Sequence, residues 1–196
     1  MGLQLSAFGP SHNWVCSFAM KQPRKASPKS LENAALHYLG RFASSRANLK
    51  RVLLNRVARS AKAHGTDAAE GQAWIEAILD KLEGLGYLND AAYAENRAES
   101  LNRQGKPSNT IRWALKSKGV DQDTTEAAVA KLSDEMDEPD RTAALALARK
   151  KRLGPYRAPE TRADHRTKDI QALARAGFGW DLAKEIVDGD GDGVRS

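Results

Sequence analysis

An all-α protein, an elongated and curved array of three tandem three-helix repeats behind a disordered N-terminal tail, is the fold class this sequence predicts. Three observations carry it. A helical phrase recurs in Ser45-Arg46-Ala47-Asn48-Leu49, Ser108-Asn109-Thr110-Ile111-Arg112 and Arg166-Thr167-Lys168-Asp169-Ile170. Aligned on Leu49, Ile111 and Ile170, it returns about every sixty residues, the mark of stacked helical modules that share a buried seam. The composition is rich in Ala, Leu, Arg, Lys and Glu, which favour helix, and poor in the β-branched, turn-punctuated strings that make strands. Lastly, Gly119-Val120 and Gly177-Phe178 end the second and third phrases at equivalent positions, each a glycine helix stop with a trailing apolar residue.

From Met1 to Ser30 the chain is Ser-, Gly-, Pro- and Lys-rich without helical periodicity, so 1–30 is expected to be a disordered tail. Helical spacing begins with Leu31, Ala34, Ala35, Tyr38, Leu39 and Phe42 on one face. Ser44-Ser45 supplies an N-cap for a second helix through Leu49, Leu53 and Val57, which ends at His64 before Gly65. A third helix buries Trp74, Ile75, Ile78, Leu79 and Leu82, and repeat one is assigned to 31–88. Repeat two, 89–134, opens with the cap Asn89-Asp90 and a helix carrying Tyr93, Ala94, Ala98 and Leu101 to a turn at Gln104-Gly105-Lys106-Pro107. Ser108 is expected to cap its second helix, and Asp123 with Glu126 to form a capping box for its third. Pro139 suits the first turn of repeat three, 135–187, which continues through the Ile170 helix to a last helix with Leu182, Ile186 and Val187. Residues 188–196 are expected to be a flexible acidic tail.

The junction Leu82-Glu83-Gly84-Leu85-Gly86-Tyr87-Leu88-Asn89-Asp90-Ala91-Ala92-Tyr93-Ala94, together with the triple repeat, resembles the RecX regulatory proteins. Arg103-Gln104-Gly105-Lys106 and Leu115-Lys116-Ser117-Lys118-Gly119-Val120 are similar to that family too. The likeness covers residues 31–187 and is strongest in repeat two. Two departures stand out: the second helix of repeat one is about a turn longer and lacks the apolar follower after Gly65, and Arg97-Ala98 replaces a larger apolar residue. The resemblance implies a cytoplasmic modulator that binds the RecA recombinase filament, lodges along its groove and restrains strand exchange, ATP hydrolysis and coprotease activity in DNA repair and the SOS response. It implies RecA as the partner and single- or double-stranded DNA as a weaker one.

Charge points the same way. The chain has 31 Lys and Arg against 25 Asp and Glu, a net charge of +6, which favours a polyanion or an acidic protein surface. The candidate contact residues are Arg46 and Lys50 in repeat one, Arg97, Arg103, Lys106, Arg112, Lys116 and Lys118 in repeat two, and Arg149, Lys150, Lys151, Arg152, Arg166, Lys168 and Arg175 in repeat three. Arg112 and Lys116 lie four apart and repel by a few tenths of a kcal/mol, a strain that a polyanion relieves. The competing reading is an ordinary solvated helix face, and the macrodipole alone accounts for cations in the last turn at Arg149 to Arg152. Tyr38, Phe42, Trp74, Tyr87, Tyr93 and Phe178 are expected to pack in cores or module joints rather than stack on bases, and Trp180 to pack in repeat three.

Catalysis has little support. The sequence holds no phosphate-binding glycine loop, no paired metal-binding carboxylates on adjoining helix turns and no nucleophile-base pair; His12, His37, His64 and His165 are scattered. Asp188-Gly189-Asp190-Gly191-Asp192-Gly193 imitates the front of a calcium loop without its bidentate Glu. No cofactor, metal or catalytic residue is assigned, and no membrane association; the protein is expected to be a monomer. The single Cys16 forms no internal disulfide, and no stretch reaches the roughly 20 apolar residues of a membrane span, so the cytoplasm is the expected compartment. A second reading is a DNA-binding protein whose three-helix modules insert a helix into the major groove. A third, a nuclease or hydrolase without a recognisable motif, would need metal-dependent turnover.

Overall fold

The computed structural model describes residues 23–191. Among these are nine α-helices and two short 3-10 turns, and no strand. Helices α1 (Pro28–Leu39), α2 (Arg46–His64) and α3 (Ala68–Gly84) form the first group. Next come α4 (Asp90–Arg103), α5 (Ser108–Ser117) and α6 (Gln122–Glu135), then α7 (Pro139–Lys151), α8 (Arg162–Arg175) and α9 (Trp180–Asp188). The 3-10 turns, Gly154–Tyr156 and Pro159–Thr161, lie between α7 and α8.

Each group encloses its own core. In the first, Leu31, Ala35, Leu49, Leu53, Val57, Ile75, Leu79 and Leu82 are buried together. The second gathers Ala94, Ala98, Leu101, Ile111, Leu115, Val129 and Leu132, and the third Ala144, Leu147, Ile170, Leu173, Phe178, Ala183 and Ile186. The aligned anchors Leu49, Ile111 and Ile170 are thus all interior. Helices of 9 to 19 residues are marginal in isolation, and burying these stripes at about 25 cal/mol per Å² is what holds them.

The two glycine stops are Schellman motifs. Gly119 N–H bonds to Lys116 O and Val120 N–H to Leu115 O; Gly177 and Phe178 repeat the pattern on Ala174 O and Leu173 O. Both glycines sit at positive φ, 75° and 103°. They also mark the joints. A Cβ on Gly119 would stand 2.4 Å from the Ala47 Cβ at the start of α2, and one on Gly177 would stand 3.2 Å from Pro107 and Thr110 at the start of α5. Each phrase therefore ends against the beginning of the phrase before it. Gly65, which closes the first phrase, has nothing near its Cβ position, and among the described residues no group precedes the first.

A carboxylate completes each joint. Asp90, the first residue of α4, accepts from Arg46 N–H at the start of α2 (2.7 Å), and Asp140 in α7 accepts from Ser108 N–H and Oγ at the start of α5 (2.8 and 2.6 Å). The second helices of the first and second groups are thus capped in part by the group that follows. Two expected caps are corrected here. Pro107, not Ser108, is the N-cap of α5, because Ser108 is helical and its hydroxyl is turned to Asp140. The cap of α6 is Asp121, which accepts from Thr124 N–H at 2.8 Å, so Asp123 lies inside the first turn and forms no box with Glu126.

The ends of the chain differ from expectation as well. Residues 1–22 and 192–196 of the expected tails lie outside the described residues, but 23–30 do not belong to a loose tail. Ser27 caps α1 through a reciprocal bond pair with Ser30, and Pro28 occupies the first turn. Ala26 is buried and its N–H is satisfied by the Ser60 hydroxyl at 2.7 Å. Ser60 stands on the extra turn of α2, so the added length seats the incoming segment. At the other end Asp188 is helical and grips Arg166.

Candidate partner-binding surface

The expected basic residues divide by whether their charge is already engaged. In the first group, α3 turns Glu76, Asp80 and Glu83 toward α2. Arg46 takes all three, at 3.2, 2.6 and 2.7 Å, and Lys50 pairs with Glu76. The hydrogen bond that Arg46 donates to Asp80, partly opposed by desolvation, raises the Arg46 pKa above its ordinary value. An acidic helix inside the same group therefore screens the cationic pair expected to face a partner. The carboxylates Glu76, Asp80 and Glu83 fall at i, i+4 and i+7, a spacing visible in the sequence; only the packing of α3 on α2 aims them.

In the second group Arg112 is directed at Glu126, with Nε at 3.1 and 3.0 Å from the two carboxylate oxygens, which removes the expected repulsion from Lys116. Arg103 pairs with Glu99 at 2.6 Å. Lys118 leans toward Asn48 of the first group, 3.4 Å away, so it lies at a joint. In the third group Arg166 holds Asp188 with two bonds of 2.6 Å; that bond keeps the Asp188 carboxyl below its ordinary range. The Arg149 guanidinium stands 5.6 Å from the Tyr156 ring centroid. Of the expected contact residues, those exposed without an ion pair or side-chain hydrogen bond are Arg97, Lys106, Lys116, Lys150, Lys151, Arg152, Lys168 and Arg175.

A buried ion pair went unnoticed in the sequence. Asp169, 2 % exposed, accepts from Gly154 N–H at 2.8 Å and from Arg157 Nε and Nη2 at 3.0 and 2.7 Å. Burial pushes its carboxyl upward, but Arg157 and the Gly154 amide outweigh burial and hold it below the ordinary value. The pair ties down the long connection between α7 and α8. Asn48 occupies the same repeat position in α2 and does similar work, its Nδ2 reaching Ser44 Oγ at 2.8 Å and Tyr38 Oη at 3.1 Å.

The aromatic residues correct the expectation most. Phe178 is buried, and Tyr38, Trp74 and Tyr93 are half-buried as packing residues should be. Phe42, Tyr87 and Trp180 are 53 %, 59 % and 54 % exposed. Phe42 fails because α1 stops at Leu39, so the residue leaves the helix face to which periodicity assigned it. Trp113 is the most exposed large apolar side chain described, at 72 %. It stands beside Arg112 and Lys116 on the outer face of α5, over a shallow depression floored by Val120 and Thr125.

No group of three or more metal-ligating side chains is present among the described residues, and none of their helices is long and apolar enough to cross a membrane. The surface thus offers cations and exposed aromatics on a rigid helical array. Residues 89–129 match the model of the second three-helix domain of RecX. The regulatory protein RecX of Myxococcus xanthus is 49 % identical over 169 residues, which is 86 % of this chain and 89 % of that protein. The chain belongs to the RecX family of regulatory proteins. RecX of Agrobacterium fabrum is 30 % identical over 155 residues, covering 79 % of this chain and 80 % of its own. The crystal structure of RecX from Lactobacillus salivarius superposes with a TM-score of 0.57 at 26 % identity, over 82 % of this chain and 94 % of that one. RecX membership directs attention to what the helices present outward.

Proposed function

We propose that this protein is a non-catalytic, cytoplasmic regulator that binds the RecA nucleoprotein filament as a monomer and restrains its recombinase, ATPase and coprotease activities. The observation that supports it most is the 49 % identity, over 86 % of the chain, to a RecX regulatory protein. Physical features agree. An array of modules has the length to follow a winding polymer, and cations suit a groove that exposes carboxylates or phosphates. The outer face of α5 is the central contact: Trp113 supplies a large rigid apolar anchor of the kind that dominates interfaces, and Lys116 beside it is unpaired. Arg97, Lys106, Lys150, Lys151, Arg152, Lys168 and Arg175 extend the surface. Arg46, Lys50, Arg103, Arg112 and Arg166 contribute less, because each already serves a carboxylate of its own chain.

RecA ATPase on single-stranded DNA, titrated with the purified protein, tests this. The rate is expected to fall. Trp113→Ala combined with Lys116→Glu should raise the concentration for half inhibition by about tenfold or more, since a central aromatic truncation costs upwards of 1 to 2 kcal/mol. Both side chains are exposed, so the melting temperature should stay near the parent's. An unchanged ATPase rate at excess wild-type protein would refute the reading.

A further inference from the structure

The segment that leads into α1 lies along α2 and leaves a groove that none of the preceding roles uses. It encloses about 490 Å³, within the size range of small-ligand sites. Arg24 and Ala26 of the segment form one side, Asn33 and His37 of α1 a second, and Arg56 and Arg59 of α2 a third. No Asp or Glu lines the groove. The imbalance begins in the sequence, because α2 carries six Lys and Arg and no acidic residue. Toward α3, Arg46 and Lys50 are met by Glu76, Asp80 and Glu83. Arg56 and Arg59 open instead onto the groove beside α1, whose one carboxylate, Glu32, is taken by Lys81.

Two details separate this groove from an ordinary solvated helix face. Its cations are uncompensated: Arg24 and Arg56 have no ion pair or side-chain hydrogen bond among the described residues, and Arg59 gives only its Nε–H, to Asn55 O of its own helix at 3.1 Å. Arg56 and Arg59, three apart on one helix, also repel each other, and a bound anion relieves that repulsion. The groove is also held in shape. His64 Nε2 donates to Pro23 O and the Ser60 hydroxyl accepts from Ala26 N–H at 2.7 Å, so the backbone that carries Arg24 is anchored on both sides. Buried Ala26 and Leu31 give it an apolar floor. Both anchors stand near the C-terminal end of α2, so the groove depends on the added length of that helix.

We propose that this groove binds a small molecule bearing two or more phosphoryl groups, whose oxygens are held by Arg24, Arg56 and Arg59, with the Asn33 amide and the His37 ring beside them. Guanidiniums that converge from two elements suit a tetrahedral phosphoryl group, whose terminal oxygens accept from several directions and carry up to two charges. A carboxylate offers one edge and one charge. Occupancy ties the segment at Arg24 to α2 and so fixes the entry to α1. None of these arginines belongs to the RecA-contact surface proposed above, and binding is measured on this chain alone, so its outcome is separate from that of the regulatory reading.

The test is calorimetric titration of the full chain with inorganic pyrophosphate and, separately, with fructose bisphosphate, against sulfate at equal ionic strength as the adventitious anion. One or both phosphates should bind one-to-one and about tenfold or more tighter than sulfate, and the tighter of the two tells joined phosphoryl groups from separated ones. Arg56→Ala with Arg59→Ala should weaken binding by about tenfold or more, the loss that follows removal of charge-assisted bonds. Arg24→Ala, outside every helix, should weaken it by about threefold or more. Lys62→Ala with Lys184→Ala, equal in charge and outside the groove, should leave it within about twofold. At saturation, hydrogen exchange of the Ala26 amide should slow. All the substituted positions are exposed, and thermal melts without ligand will confirm that each variant folds. The proposal is overturned if neither phosphate binds more tightly than sulfate, if the two double substitutions cost the same, or if Ala26 exchange is unchanged at saturation. Displacement of the bound phosphate by oligo-dT at a lower total phosphate concentration would also overturn it, by assigning the arginines to a polymer.

Discussion

The turn ahead of α5 ends Gln104-Gly105-Lys106-Pro107, and the corresponding turn ahead of α2, aligned on the caps Pro107 and Ser45, reads Phe42-Ala43-Ser44-Ser45. Gly105 is buried: a Cβ there would stand 2.9 Å from the Leu147 Cβ and 3.1 Å from Ala143 O, so α7 lies directly on the turn. Asn102 adds a bond to Pro139 O at 2.8 Å, and the second joint is closed. At the first joint Ala43 and Phe42 are exposed and a groove stays open between the groups. Both joints share the carboxylate cap and the wedged glycine. Gly105, which lacks a side chain, lets α7 close on the second turn, whereas that groove stays open at the first.

The sharpest way to break this comparison is Gly105→Val beside Ala43→Val. The first forces a branched side chain onto φ 80° and into α7, and should cost roughly 2 to 6 kcal/mol from backbone strain plus overpacking. The second should stay within about 0.5 kcal/mol, as exposed substitutions do. Urea denaturation of both variants measures the difference, and similar costs would mean that the joints are packed alike. Leu53→Ala and Leu115→Ala come next. They occupy the same repeat position, both with 0 % exposure, and each should lose about 2 to 5 kcal/mol; a parent-like melt for either would show that the cores are not equivalent.

Smaller effects are expected at the caps. Asp140→Ala removes two bonds to Ser108 and Asp90→Ala removes one to Arg46, so the former should cost more within the range of about 0.5 to 2 kcal/mol. Calorimetry should also show a broader transition as the groups uncouple. The last prediction concerns the third group, where the folded carboxyl of Asp169 is held below its ordinary value. Its contribution is complete above the unfolded pKa and is lost as pH falls through the folded one, so stability should drop below about pH 4. Asp169→Asn should be less stable near neutrality and show a flatter acid limb, read by thermal melts across pH. A parallel pH dependence in parent and variant would remove the Arg157–Asp169 pair from the account.

How much of this was legible in the residues depends on the range of the interaction. Local signals succeeded: Ser45 as the cap of α2, Pro139 in the first turn of α7, Gly65 as a helix stop and the Gly119-Val120 and Gly177-Phe178 endings all depend on atoms within a few residues. The Asp123 with Glu126 box failed although it too is local, because Asp121, two positions earlier, starts the helix by accepting from Thr124 N–H and leaves Asp123 inside the first turn. Phe42 failed because periodicity carries no information on where a helix ends. Charge counting cannot tell Lys116, which is free, from Arg46, which three carboxylates of α3 surround.

Repetition and apolar spacing, properties of the chain taken a few turns at a time, determined by themselves that this is an all-helical protein of three like groups with Leu49, Ile111 and Ile170 inside. Which cations stay uncompensated, which aromatic rings reach water and which joint remains open were decided only when helices distant in sequence came together. The reason is that burial of a stripe is set by its own periodicity, whereas the fate of a surface charge or ring depends on the neighbour that packing places a few ångströms away.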